Sequence, residues 1–248
     1  MRNVIQAVCA CLLTFSMGSA QQRDVAAYRD FESVQRLRVV CEHQHFGRID
    51  DLVADVATGK LRTAIVSMDT EGGARAVAVP FDELTYDAQS NLLQLGPCLE
   101  EGGHHHPAFD ASKIKVTVTK RDDETKVYGG SVLVSRLASS KLVLQGKDTG
   151  TVQGITIELV SGHVAFCHVA TVQKQAGDRQ LHPTPWAALQ FQTPSKDPKS
   201  KAAIVGLTMT AAQLLATPSL LDVIVQDALY RPRIYEAFAV PAPAYDRS

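Results

Sequence analysis

Three adjacent histidines, His104 to His106, follow Glu100, Glu101 and a Gly-Gly pair in the stretch GPCLEEGGHHHPAFD. Neutral imidazoles and carboxylates are ligands for zinc, copper or nickel, so this loop is the candidate for a transition-metal site. Adjacent residues seldom all face one ion. His43 and His45, two apart on one strand face, are the natural source of further ligands. The competing reading is a solvated polar loop with no cofactor. Asp51 and Asp55 are the second group with chemical interest. Four apart on a strand, they share a face at a separation of about 13 Å, too far to hold one reacting atom between them for acid–base work. Accepting backbone N–H groups around a turn and a bulge is their simpler role. His163, His168 and His182 are dispersed, and His168 in FCHVA reads as a strand residue with a satisfied ring. No nucleophile-elbow serine occurs. No catalytic residue is assigned, and the chain is expected not to be an enzyme.

The elements that would position these residues are mostly strands. FGRIDDLVADV and LRTAIVSM are apolar-rich runs joined by ATGK, which reads as a hairpin. EGGARAVAVPF gives a Gly-Gly turn, a strand and a proline that ends it. About a hundred residues later the layout returns. Gly47 aligns with Gly150, Ile49 with Val152, Leu52 with Ile155, Asp55 with Glu158, Gly59 with Gly162 and Leu61 with Val164, an offset of 103. After a two-residue gain, Pro80 and Phe81 align with Pro185 and Trp186. Ordered agreement of glycines, prolines and apolar positions over about 60 residues points to a duplicated unit. The turn glycines permit positive φ. The three-residue step from Ile49 to Leu52 predicts a β-bulge that curls the strand and helps close a small barrel. Phe81 and Trp186 are expected to plug an open end of the barrel core rather than line a ligand cleft.

Composition and charge narrow the class. The chain has 248 residues, is 45% hydrophobic and carries a net charge of −1, so no basic stripe exists to neutralise phosphates and no nucleic-acid partner is expected. Arg2, an apolar run too short to span a bilayer, and SMGSA before QQRD have the layout of a secretory signal peptide over residues 1–20, cleaved after Ala20. The competing reading is an uncleaved anchor. Export to the periplasm or beyond is therefore expected, with no stable transmembrane helix after processing. Cys41, Cys98 and Cys167 remain after cleavage, as one pair and a free thiol, an intermolecular bond, or three free thiols. Cys167, in an apolar run, is expected to be buried and inert.

The rest of the chain divides as a polar lead-in (21–33), a first unit (34–96), a loop and connecting strand (97–134), a second unit (135–206) and a helical C-terminal extension and tail (207–248). Thr208 or Thr210 is the expected helix N-cap. Leu220, Val223, Ile224 and Leu229 have helical spacing, Pro232 restarts a short turn, and VPAPAYDRS is expected to be extended and loosely held.

Gly47, Ile49, Asp51, Leu52, Val53, Asp55, Gly59 and Pro80, with Phe81 where tryptophan is usual, resemble the PRC-barrel domain. The second copy departs from that pattern, with Gly154 for the first aspartate, Glu158 for the second and Thr-Pro-Trp for Val-Pro-Trp. The resemblance implies a mainly β fold of two small PRC-barrel-like barrels in tandem with a short helical C-terminal segment. It also implies docking to other macromolecules without shared catalytic residues. The expected function is a non-enzymatic exported module that binds a protein or envelope component. The alternative is a metal-binding protein or metal-dependent enzyme built on His104, His105 and His106.

Overall fold

The computed structural model of the chain describes residues 27–246 apart from 43, 71–72, 97–105, 111–112, 115, 121–125, 139, 146, 172–179, 193–203 and 222. The signal-like stretch lies outside the described residues. The fold is mainly β, with two curled sheets and a few short helices.

The chain opens with β1 (Tyr28–Asp30) and the single turn α1 (Phe31–Val34). The first unit then adds β2 (Arg38–Cys41), β3 (Gln44–Asp55), β4 (Leu61–Thr70), β5 (Gly73–Pro80), β6 (Leu84–Asp87) and β7 (Leu92–Leu95). A hairpin follows, β8 (Val116–Lys120) and β9 (Lys126–Leu133), then the single turn α2 (Val134–Leu137). The second unit repeats the first as β10 (Lys141–Leu144), β11 (Lys147–Glu158), β12 (His163–Thr171), β13 (Leu181–Pro185), β14 (Gln190–Gln192) and β15 (Ile204–Leu207). Strand order is β5-β4-β3-β2-β7-β6 in one sheet and β13-β12-β11-β10-β15-β14 in the other. The β2–β7 and β10–β15 contacts are parallel and the remaining neighbours antiparallel. The expected bulge is present in both copies: the ladder skips a residue between Ile49 and Asp51 in β3, and between Val152 and Gly154 in β11. It curls each long strand. Among the described pairings neither path returns to its first strand, so each unit is a half-barrel rather than a closed one.

The two units complete one another. β9, which leads into the second unit, pairs with β3 of the first; β1, which leads into the first, pairs with β11 of the second. The registers correspond under the offset of 103, Ser131 opposite Asp55 in one and Tyr28 opposite Glu158 in the other. The hairpin turns also exchange bonds. Leu61 N donates to Gly162 O at 2.8 Å, and its counterpart Val164 N donates to Gly59 O at 2.9 Å. Each lead-in strand thus caps what would otherwise be an open ladder on the neighbouring unit. Arg29, on β1, extends the bridge with its guanidinium 3.1 Å from the Tyr86 hydroxyl on β6.

The apolar interior follows the same logic. One contiguous core holds Ile49, Leu52 and Val66 of the first unit together with Ile155, Phe166 and Val169 of the second. A small satellite of Val53, Ile65 and Leu133 lies apart from it, against Phe109 and Ile114.

The C-terminal extension begins as expected. Thr210 caps α3 (Ala211–Leu215) in a reciprocal capping box with Gln213. Among the described residues of Leu220 to Leu229 the expected helix does not form; they run as turns and irregular backbone. The Leu220 N–H donates instead to Leu181 O at 2.7 Å, which lays the segment along β13. The chain then forms α4 (Arg231–Ala237), with Pro232 in its first turn. No described helix is long and apolar enough to cross a membrane.

Candidate binding surface

Asp51 and Asp55 are spent on structure. Asp55 Oδ1 accepts from Ala57 N, Thr58 N and Thr58 Oγ1, and its Oδ2 from Arg62 at 2.9 Å. Burial would raise its carboxyl, but the bonds from Arg62 and Thr58 outweigh that and hold it below the usual range. Glu158 is its counterpart and accepts from Val160 N and Ser161 N. Asp51 accepts from Leu52 N at the bulge, as expected, and also from Ser135 N at 3.1 Å and from Ser135 Oγ. Ser135 is in the first turn of α2, so a first-unit carboxylate caps the second unit's helical turn. Burial pushes Asp51 above the usual carboxylate value despite these bonds.

Of the three loop histidines, His106 alone lies among the described residues. The Pro107–Phe109 segment is clipped to the edge of β5 by Ala78 N to Pro107 O and Phe109 N to Ala76 O. His106 Nε2 sits 3.8 Å from Glu83 Oε2, with its ring edge-on to Phe46. His45 is exposed. His104, His105, His43, Glu100 and Glu101 lie outside the described residues. Among the described residues no three His, Cys, Asp or Glu side chains converge as metal ligands.

His168 has the satisfied ring expected of it. It is buried, its Nε2 lies 2.8 Å from Thr156 Oγ1, and burial lowers its pKa to about 4. Its counterpart in the first unit is Ile65. His182 Nδ1 lies 3.1 Å from Thr217 Oγ1. His163 approaches Ser161 Oγ at 2.9 Å, but that hydroxyl donates to Glu158. A serine held by a carboxylate is not primed for attack. Cys167 is buried and free, its thiol pushed up to about 12 by burial. Cys41 is disulfide-bonded, and Cys98 lies outside the described residues.

The two aromatics do more than plug a barrel. Phe81 and Trp186 are 5% and 6% exposed. Each ring lies over the turn glycine of the other unit, Phe81 on Gly162 and Trp186 on Gly59. Both glycines have positive φ, +69° and +74°, and a methyl group on either would collide with the ring. The indole N–H of Trp186 also donates to Val56 O at 3.1 Å.

Grooves flank Trp186. One, of about 650 Å³, runs between the Trp186 turn and Leu207, Met209, Phe238 and Val240. The other, of about 360 Å³, is lined by His163, Pro185, Trp186, Tyr235 and the chain's Pro241–Tyr245 segment. The C-terminal segment, expected to be loosely held, is anchored. Tyr245 stacks on His163 with centroids 4.5 Å apart. Asp246 accepts from Tyr28 at 3.0 Å and is paired with Arg231, whose guanidinium lies 4.2 Å above the Tyr28 ring. Burial first, and the Asp246 charge second, push the Tyr28 and Tyr235 hydroxyls well above their ordinary value. Sequence reasoning missed this cluster. The available signal was the density of tyrosine and proline in LYRPRIYEAFAVPAPAYD.

Beyond the grooves, Leu221, Ile224 and Leu229 are 84%, 60% and 74% exposed. No protein-family model matches the chain, and no curated protein matches it.

Proposed function

We propose that the protein is a non-enzymatic, exported binding module of the PRC-barrel type, which docks a protein or envelope component through its second unit and C-terminal extension. The observation that carries this reading is the exposure of Leu221, Ile224 and Leu229, three large apolar side chains in one short segment of the extension. Clustered large apolar side chains in water mark interaction surfaces. The groove along Trp186 adds concave surface of the kind partners fill. The side chains that acid–base chemistry would need support it from the other direction. Asp51, Asp55 and Glu158 each have their oxygens committed to backbone, hydroxyl or guanidinium donors.

The test is capture from envelope extract with the immobilised full chain, against the double variant Leu221→Asp/Ile224→Asp. A component retained by the parent and lost from the variant, with equal thermal stability of the two, supports the reading. Equal retention by both, or none by either, counts against it.

A further inference from the structure

Leu37 and Val39 flank Arg38, Gly47 and Ile49 flank Arg48, and all four flanking residues are buried. Strand alternation therefore turns Arg38 and Arg48 away from the core, and both are exposed. The β2–β3 register sets the two arginines directly opposite one another. Opposed like charges destabilise a strand pair. Among the described residues neither guanidinium makes a hydrogen bond or an ion pair that would offset this. Asp50, the bulged residue two positions along β3, pairs with neither. The groups around them are donors as well. Ser67 of β4 stands opposite Arg48, and further along the outer face Val40 lies between His45 of β3 and Gln94 of β7. The second unit keeps the scaffold without the charge: Lys141 and Thr151, the counterparts under the offset of 103, are opposed in the same register. The same backbone thus forms without two guanidiniums at this place.

We propose that the outer face of β2 and β3 docks an acidic segment of a partner protein, with a carboxylate seated across Arg38 and Arg48. This extends the binding-module reading to the first unit, and rests on that reading for a macromolecular partner. A guanidinium fork matches a carboxylate bidentately. Two forks on directly opposed residues, with Cβ atoms about 5 Å apart, converge on one such group. An anion between them also relieves their mutual repulsion. Two fixed cations suit a protein segment better than a lipid surface. Attachment to an anionic bilayer adds up small gains from several basic side chains, and this chain as a whole carries a net charge of −1.

The probe is a fluorescein-labelled hexaglutamate peptide, with hexaglutamine as control, titrated with the full chain and read by fluorescence anisotropy. The test variant is Arg38→Gln/Arg48→Gln. The charge-matched control is Arg136→Gln/Arg233→Gln, two exposed arginines outside the patch. Wild type and the control variant should bind hexaglutamate saturably, more weakly at roughly 0.3 M salt than at low salt, and should not bind hexaglutamine. R38Q/R48Q should bind at least about tenfold more weakly and melt no lower than wild type. The proposal is overturned by no saturable binding up to millimolar peptide, by equal loss in both double variants, or by a lower melting temperature of R38Q/R48Q, which would assign the arginines to the fold. Binding to vesicles of phosphatidylglycerol in phosphatidylcholine that R38Q/R48Q abolishes, without peptide binding, makes the face a lipid site and overturns it too. An envelope component retained equally by wild type and R38Q/R48Q, but lost from Leu221→Asp/Ile224→Asp, sinks this face while leaving the module reading intact. Hexaglutamate binding at the two arginines with no component captured supports the carboxylate site and removes the module reading.

Discussion

Trp186 and Val56 are 130 positions apart, yet the indole of one donates to the carbonyl of the other at 3.1 Å. The same ring covers Gly59, three residues beyond Val56 in the first unit's hairpin. Phe81 covers Gly162 in the mirror arrangement, without a ring donor to add a bond. The seam between units is therefore built twice from one design, and is stronger on the Trp186 side.

Gly59→Ala should be costly. Its φ of +74° is unfavourable for a residue with a Cβ, and the new methyl would lie 2.8 Å from Trp186 Cγ. The expected loss is about 2–4 kcal/mol from backbone and overpacking together, read as a lower urea midpoint. Gly162→Ala should behave alike against Phe81. In a Trp186→Leu background the Gly59 penalty should shrink, since part of it belongs to the ring; an unchanged penalty would place the cost in the backbone alone.

Ala239 offers a substitution in the opposite direction. It ends α4 with a φ of +52°. Ala239 N bonds to Glu236 O and Val240 N to Tyr235 O, a Schellman closure that glycine usually makes. Ala239→Gly should raise stability by about 1 kcal/mol, seen as a higher melting temperature. A neutral or negative result would mean that the segment after α4 relies on the rigidity of alanine there.

Acid stability should divide between two buried groups of opposite sign. His168 has its folded pKa lowered from 6.5 to about 4. Its contribution is present above pH 6.5 and is lost as pH falls toward 4, on the order of 3 kcal/mol in full. Replacing His168 and Thr156 with their first-unit counterparts (H168I/T156V) should flatten that part of the stability–pH curve. Asp51 has its folded pKa raised, so its contribution is full below 3.8 and is lost as pH rises through the raised value. Asp51→Asn should remove this second slope. Urea unfolding at intervals from pH 3.5 to 7.5 separates the two. A parent and H168I/T156V curve that run parallel would refute the assignment to His168.

Cys167 should be silent in the native protein. It is fully buried and its thiol is pushed up to about 12. A thiol-specific reagent at pH 8 should label it only at the rate of unfolding. Rapid labelling of the folded chain would contradict its burial.

Much of this fold was readable because duplication repeats local signals. The hairpin glycines, the three-residue step that marks the bulge and the Thr210 cap each act within a few residues, so type and spacing reveal them. Which strand β1 and β9 choose as neighbour is not local. Tyr28–Asp30 carries no pattern naming Thr156–Glu158 as its partner. The segment from Leu220 to Leu229 misled for a related reason. Its apolar spacing allows a helix, but a bond to Leu181 O draws it along a sheet edge, burying Val223 and Val225 and leaving Ile224 outside. The C-terminal segment was underestimated because two of its anchors, Tyr28 and His163, lie far away in sequence.

The exchange of lead-in strands bears on where such a chain can come from. A polypeptide of half this length would present a long strand with one edge uncovered at its far end and a short strand with nowhere to lie. Two such molecules side by side would each supply what the other lacks. Joining them end to end makes that mutual repair independent of concentration, and afterwards each half is free to drift: the position held by Asp51 on one side is a bare glycine, Gly154, on the other.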